Sequence, residues 1–202
     1  MSLVVITGGA RSGKSSAAQQ LALSRSEEGV RVVVAVFGRD SDAEMATRIE
    51  QHQAERPAEF ETLEVAQPGA WQSTVSDDQL LVVDCLGTLL GLVMESEWPS
   101  QSGSGLGGAG AVELPEGYAE AVEASFAEVV ESLAARKGDT IIVTNETGLG
   151  VVPDWASARL FRDLLGRANR KFVASADASY FYVCGRAIDL GGVPSSIHWP
   201  ED

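Results

Sequence analysis

A glycine-rich segment that ends in lysine and serine is the stretch of this sequence best suited to chemistry. Residues 8–15 satisfy the spacing G-x-x-x-x-G-K-[ST]. Such a loop wraps a phosphate with backbone N–H groups, and glycine permits the turn without a Cβ clash. A chance glycine-rich turn is the alternative. We predict nucleotide contacts at Gly8, Gly9, Ala10, Arg11, Ser12, Gly13, Lys14 and Ser15.

Two residues of this segment have specific predicted roles. Lys14 supplies positive charge to the β- and γ-phosphates of a nucleotide and is a predicted catalytic residue. The Ser15 hydroxyl suits a magnesium ion that bridges those phosphates. A helix following the loop would direct its positive N-terminal end at the same anion.

A histidine between two arginines forms the second candidate group. Arg48, His52 and Arg56 are spaced four apart, so a helix places them in one stripe. Imidazole acts as a general base, a metal ligand or a phosphoryl-accepting nucleophile, and two guanidiniums favour its neutral form. From the residues alone, a solvated surface histidine is the slightly favoured alternative. His198, the other histidine, is interpreted as structural or idle.

Polar side chains also follow two apolar, strand-like runs. Asp84 ends the run 79–83, and we predict that it binds Mg²⁺ directly or through water. The alternative is an aspartate that caps the strand. Asn145 and Glu146 end another such run and are predicted to contact ligand, with a turn stabilised by side-chain hydrogen bonds as the alternative.

The elements that must position these residues alternate between strand and helix, which predicts an α/β fold with a mostly parallel sheet. Because ligands gather at the carboxyl ends of parallel strands, Val36 and Phe37 should lie near the phosphate loop. Strands are predicted at 3–7, 31–37, 61–64, 79–84, 139–146 and 180–184, and helices at 16–23, 41–56, 85–97, 118–136 and from 154 onward.

Composition restricts the function classes. The 202 residues, 45% of them hydrophobic, suit a single domain over 1–202, with a flexible Gly/Ser-rich insertion at about 99–117. A net charge of −14 disfavours nucleic-acid binding. The sequence shows neither a membrane span nor a signal peptide, so we expect a cytoplasmic protein. Cys85 and Cys184 are expected to be buried thiols without a role.

Several strings together closely resemble the bifunctional adenosylcobinamide kinase/adenosylcobinamide-phosphate guanylyltransferase family. The similarity extends over nearly the whole chain. Two strings are far more specific than the phosphate loop, namely R-I-x-x-H-x-x-x-R-P and V-T-N-E-x-G-x-G-x-V-P. The matching residues are 8–15, 42–45 with Arg48, Ile49, His52, Arg56 and Pro57, then 143–153, 159–163 and 166–169.

The resemblance implies a P-loop, RecA-like subunit, typically a homotrimer, that acts in cobalamin biosynthesis. Such enzymes phosphorylate adenosylcobinamide from ATP or GTP and then transfer GMP from GTP to that phosphate. The histidine matching His52 forms a covalent GMP intermediate. The resemblance also implies nucleotide or metal contacts at Glu64 and Asp84, with Glu64 a candidate for guanine recognition. We further expect Gln53 and Arg56 to contact the nucleotide, and Arg48 to bind substrate or phosphate.

The sequence also departs from the family pattern. Val36-Phe37 stands where threonine or serine is usual, Leu92 replaces a common asparagine, and the insertion has no counterpart in shorter members. These departures would weaken the kinase step or reshape the corrinoid pocket while leaving guanylyl transfer intact. One alternative is therefore a guanylyltransferase without kinase activity. The phosphate loop also permits a kinase of another small alcohol, with His52 merely lining the site, or a nucleotide-responsive regulatory subunit.

Overall fold

A seven-stranded sheet forms the centre of the fold in the computed structural model, which describes residues 1–38, 57–99 and 111–196. The strand order is β3-β2-β4-β5-β1-β6-β7, and every pairing is parallel except that of β6 with β7. The predicted α/β fold with a mostly parallel sheet is confirmed. The strands are β1 Leu3–Gly8, β2 Val32–Phe37, β3 Glu61–Val65, β4 Leu80–Asp84, β5 Thr140–Val143, β6 Ala178–Val183 and β7 Arg186–Asp189.

Helices cover both faces of this sheet. Ala18 and Ala22 of α1 pack on one face, and the three later helices bury apolar side chains on the other. A short 3-10 helix, Ala70–Thr74, lies between β3 and β4. The α-helices in the described ranges are α1 Lys14–Glu27, α2 Leu86–Glu97, α3 Tyr118–Ala135 and α4 Ala156–Ser175.

Alternating side chains of the strands supply the two cores. Along β1, Val5 packs among α2, α3 and α4, whereas Ile6 packs on the α1 side. Both residues are at most 2% exposed. Burial on both faces explains why the parallel strands are nearly continuous apolar runs in the sequence.

A buried arginine and a nearby aspartate form hydrogen bonds that connect the segments preceding β1, β4 and β5. The Arg136 guanidinium donates to the carbonyls of Asp139, Ser76 and Gln79 at 2.9, 2.6 and 2.9 Å. The Asp139 carboxylate in turn accepts hydrogen bonds from the Ser2 N–H and from Arg25, each 2.8 Å away. These contacts lie at the edge opposite the phosphate loop and fix the starts of β4 and β5.

Several features of the structure differ from the predictions. Strand β5 ends at Val143 rather than continuing to residue 146, and β7 was not predicted. The prediction that Cys184 is buried is wrong, because it is exposed in the two-residue turn between β6 and β7, with φ of 49°. Cys85 is half-buried, and burial raises the pKa of its thiol. The predicted helix 41–56 lies outside the described residues.

Part of the predicted insertion contacts the rest of the fold. The Ser157 N–H donates to the Ala111 carbonyl at 3.3 Å, and the partly buried Leu114 packs against the main core. Residues 111–117 therefore lead directly into α3, while 100–110 lie outside the described residues.

Candidate nucleotide-binding site

The phosphate loop has the backbone geometry that its glycines predict. Gly8 ends β1 with φ of 149°, and a Cβ at this position would lie 2.2 Å from the Tyr182 carbonyl oxygen. Gly13 precedes α1 in the left-handed region, and its carbonyl accepts from the Ala17 N–H at 3.0 Å. Strand, loop and helix thus follow one another in the order that a phosphate loop requires.

Two neighbouring segments hold the loop from opposite sides. The Glu146 N–H, just past β5, donates to the Gly8 carbonyl at 3.0 Å. The Gly185 N–H, in the β6–β7 turn, donates to the Ser12 carbonyl at the same distance. The β6–β7 hairpin is therefore part of the site's framework, although sequence reasoning missed it. The Cys184-Gly185 pair between short alternating runs was the available signal.

The predicted catalytic lysine lies inside the loop. Lys14 is 6% exposed, and its Nζ donates to the Gly9 carbonyl at 2.6 Å. Burial lowers the pKa of Lys14, while the nearby groups of Cys85 and Asp84 act in the opposite direction. A buried ammonium that donates to a loop carbonyl gains a stronger, charged partner when a phosphate enters the loop.

The two predicted magnesium ligands lie together. The Ser15 hydroxyl donates to the Asp84 carboxylate at 3.2 Å, which joins the start of α1 to the end of β4. Thr88 closes the next turn by accepting from the Cys85 N–H at 3.1 Å. A hydroxyl and a carboxylate are both hard oxygen ligands, so this pair suits Mg²⁺ as part of a coordination shell completed by phosphate and water.

Three predicted contact residues, one on each of β3, β2 and β4, lie side by side in one row across the sheet. Val36 pairs with Asp84 on one side and with Glu64 on the other. With strands about 4.8 Å apart, Glu64 lies about 10 Å from Asp84 along this row. Phe37, in contrast, buries its ring in the core against Trp71, with the ring centroids 5.1 Å apart. Of these two β2 residues, Val36 is the one that shares the row with the acidic side chains.

Two hydroxyl groups near the loop are buried without a hydrogen-bond partner in the part of the chain that the structure describes. They belong to Thr7 and Ser12, which are 6% and 9% exposed. An unmet hydroxyl inside a phosphate loop is the kind of group that a phosphate oxygen would satisfy. Ser12 therefore fits its predicted role in nucleotide binding.

A buried asparagine fixes the segment that bears Asn145 and Glu146. Asn169 of α4 accepts from the Thr144 hydroxyl at 2.7 Å and donates to the Asn145 carbonyl at 2.9 Å. The Glu146 carboxylate accepts from the Gly148 N–H, which matches the turn that was the alternative reading of this residue. Sequence reasoning gave Asn169 no role, although it lies in the 166–169 string.

Several predicted site residues lie outside the described part of the chain. These are Arg48, His52, Gln53 and Arg56, together with His198.

Within the described ranges, no group of three or more His, Cys, Asp or Glu side chains could hold a metal ion, and no helix is long and apolar enough to cross a membrane. An open cavity of about 760 Å³ between the 3-10 helix, α2 and α3 contains none of the predicted site residues.

Comparison with known proteins finds relatives that match nearly the whole chain. The model of the family described as cobinamide kinase / cobinamide phosphate guanyltransferase matches residues 4–190. The chain is 33% identical to the bifunctional adenosylcobalamin biosynthesis protein CobP of Pseudomonas aeruginosa, over 94% of this chain and 98% of that protein. It is 30% identical to the corresponding protein, CobU, of Salmonella typhimurium, over 93% and 99%.

Two further similarities are weaker in identity. The CobU protein of Escherichia coli is 28% identical over 93% of this chain and 99% of its own length. Among solved structures, a KaiC-like protein of Pyrococcus horikoshii aligns with a TM-score of 0.42 at 16% identity, over 89% of this chain and 70% of that one.

Proposed function

Because this chain belongs to the cobinamide kinase / cobinamide phosphate guanyltransferase family, we propose that it carries out both reactions of that description in cobalamin biosynthesis. It phosphorylates adenosylcobinamide from ATP or GTP and then transfers GMP from GTP to give adenosylcobinamide-GDP. The observation that carries this function is the preformed phosphate loop, with buried Lys14 and the Ser15–Asp84 pair, in a chain that matches the family over residues 4–190. The family match does not favour a kinase of an unrelated alcohol.

In the kinase step, the aminopropanol hydroxyl of the corrinoid attacks the γ-phosphorus of the nucleotide. The new O–P bond forms as the bond to the β,γ-bridging oxygen breaks, a nucleoside diphosphate leaves, and the hydroxyl proton is released to solvent. The protein's contribution is positioning and charge, because phosphoryl transfer requires little covalent chemistry from side chains. Loop N–H groups hold the β- and γ-phosphates, and Lys14 neutralises charge as the leaving oxygen becomes negative.

Magnesium fits the same part of the site. Ser15 and Asp84 would hold the ion, since their oxygens are hydrogen-bonded to one another at 3.2 Å and Ser15 is the last residue of the phosphate-loop motif. When bound, Mg²⁺ supplies charge neutralisation to the phosphate oxygens.

In the guanylyl-transfer step, an imidazole nitrogen of His52 attacks the α-phosphorus of GTP, and pyrophosphate leaves. The phosphate of adenosylcobinamide phosphate then attacks the same phosphorus and displaces the imidazole. Arg48, Gln53 and Arg56 assist by binding nucleotide and phosphate around the reacting group. Glu64 accepts N–H groups of guanine, and Asn145 with Glu146 contacts the second substrate.

A covalent adduct tests this function directly. The protein is incubated with labelled GTP and Mg²⁺, and a product of added GMP mass is sought that is acid-labile and base-stable. We expect His52→Asn to lose the adduct while retaining GTP binding. His198→Asn, the matched control at the only other histidine, should keep it. Wild-type protein that binds GTP without forming an adduct would refute the mechanism.

We also propose a homotrimer that acts in the cytoplasm, on the strength of the family resemblance. Sedimentation equilibrium of the purified protein at several concentrations tests the assembly, since a trimer predicts three times the chain mass of 21.3 kDa. Fractionation of the cells that produce it tests the location.

A further inference from the structure

The loop between β5 and α4 exposes large apolar side chains next to the phosphate loop. Leu149 and Val151 are 83% and 92% exposed, and Val152 and Trp155 are 57% and 54% exposed. Single exposed apolar residues are normal, but several on one short segment mark a binding surface. We call residues 147–155 the apolar loop.

The apolar loop is fixed at both ends. At its start, the Glu146 N–H bonds the Gly8 carbonyl at 3.0 Å, so the segment leaves the sheet directly beside the phosphate loop. At its end, the Arg159 guanidinium donates to the carbonyls of Pro153 and Asp154 at 3.0 and 2.7 Å. The large apolar side chains between these anchors are exposed, on a segment whose two ends are hydrogen-bonded in place.

Charge along the apolar loop restricts its ligand. Residues 147–153 carry no charged side chain, although the chain as a whole has a net charge of −14. Carboxylates flank this uncharged run at Glu146 and Asp154. A triphosphate would be repelled by these carboxylates and gains nothing from aliphatic side chains. A large ring with apolar faces and a positive metal centre is complementary to the uncharged aliphatic run through its faces and to the flanking carboxylates through its charge.

We propose that the apolar loop binds the corrinoid macrocycle in the kinase step. This inference rests on the proposed function, which supplies a corrinoid as the alcohol substrate. The ring lies against Leu149, Val151 and Trp155, and its aminopropanol arm extends past Glu146 toward the phosphate loop. The uncharged aliphatic surface then contributes to binding of the alcohol and not to binding of the nucleotide.

Two measurements on the whole protein separate those contributions. Cobinamide binding is followed by quenching of tryptophan fluorescence, and guanylylation is followed with GTP in the absence of cobinamide. We expect the double substitution Leu149→Ser with Val151→Ser to raise the Kd for cobinamide at least about tenfold, because two apolar contacts are lost. Guanylylation should remain within about twofold of wild type, which also shows that the variant is folded.

Val193→Ser is the matched control, because Val193 is 52% exposed but lies beyond β7, outside the apolar loop. It should change neither quantity. An unchanged cobinamide Kd in the double variant would contradict corrinoid binding by the apolar loop. If the sedimentation mass of the variant also changes while that Kd does not, the apolar loop is instead a contact between copies of the chain. If the wild-type protein does not bind cobinamide, the proposed function is overturned as well. If the wild type binds cobinamide and the double variant binds it equally well, only the corrinoid-binding role of the apolar loop is overturned.

Discussion

The backbone N–H of Gly185 donates a hydrogen bond to the carbonyl of Ser12, 3.0 Å away. Through this contact the β6–β7 hairpin supports one side of the phosphate loop, while Glu146 supports the other by bonding Gly8. The backbone of the phosphate loop is therefore held on both sides by hydrogen bonds from neighbouring segments. Such preorganisation matters because groups already in place need no reorganisation when charge develops in the transition state.

Gly8→Ala tests the contact between the loop and the hairpin. An added Cβ would lie 2.2 Å from the Tyr182 carbonyl oxygen, and the backbone φ of 149° disfavours any other residue. We expect a loss of about 1–3 kcal/mol in the free energy of unfolding, measured with urea, and weaker GTP binding. Gly9→Ala is the matched control for folding, since no atom of the described residues lies within 4 Å of its added Cβ. Equal stability of the two variants would contradict the close approach.

Lys14→Ala is expected to impair both half-reactions, because one loop holds the phosphates in each. Removing a buried cation aimed at the phosphates should lower kcat by about 10²- to 10³-fold, as is typical of a lost electrostatic contact in a transition state. Corrinoid phosphorylation and GMP-adduct formation are measured separately. Lys137→Ala removes an exposed lysine and should leave both rates unchanged. Full guanylylation in Lys14→Ala would contradict a shared phosphate site.

The phosphate loop and the strands around it were predictable from the sequence because each depends on local chemistry. Glycine spacing specifies the loop, and continuous apolar runs specify strands that are buried on both faces. Even the contact of Ser15 with Asp84 follows from the rule that ligands gather at the carboxyl ends of parallel strands.

Long-range pairing was not predictable in the same way. Asn169 lies on α4, yet its side chain bonds Thr144 and Asn145, which directly follow β5. No local sequence pattern shows that an amide on α4 will be buried against the end of that strand. The exposure of Cys184 depends on the pairing of Val183 with Arg186 across the turn, and that pairing forms only when β7 adds to the sheet edge. The polarity of β7 is typical of a surface tail as well as of an edge strand.

Asn169→Ala should destabilise the fold and displace the segment that bears Asn145. The substitution leaves the Thr144 hydroxyl and the Asn145 carbonyl without their partner, at a cost of about 1–3 kcal/mol. Urea unfolding measures that cost. Arg170→Ala, at the exposed neighbouring position of α4, is the control and should stay within about 0.5 kcal/mol of wild type. If both variants unfold alike, the buried amide does not fix this segment.

Asp84→Asn is expected to raise the Mg²⁺ concentration needed for half-maximal activity. An amide retains the shape of the carboxylate but loses the charge that attracts the ion, so we expect a shift of at least about tenfold. The measurement is a titration of each half-reaction with MgCl₂ at saturating nucleotide. The control, Asp163→Asn, changes a carboxylate on α4 that is 58% exposed and pairs with Arg162. An unaltered Mg²⁺ requirement in Asp84→Asn would remove this residue from the metal site.

Acid should weaken the fold through Asp139, at the edge of the sheet opposite the phosphate loop. Partial burial acts to raise the pKa of this carboxyl, but hydrogen bonds from Arg25 and the Ser2 N–H outweigh it and hold the pKa below its ordinary value of about 3.9. A depressed pKa means that folding favours the ionised form. Its contribution is therefore present above the unfolded-state pKa and is lost as the pH falls through the folded-state pKa.

Asp139→Asn isolates this contribution. At pH 7 the variant should be less stable than wild type in urea, and the difference should shrink as the pH is lowered below about 4, because the wild-type carboxylate then becomes protonated. Glu116→Gln, at an exposed position before α3, serves as the control and should follow the wild-type curve. A stability difference that stays constant from pH 7 to pH 3 would show that Asp139 acts through packing and not through its charge.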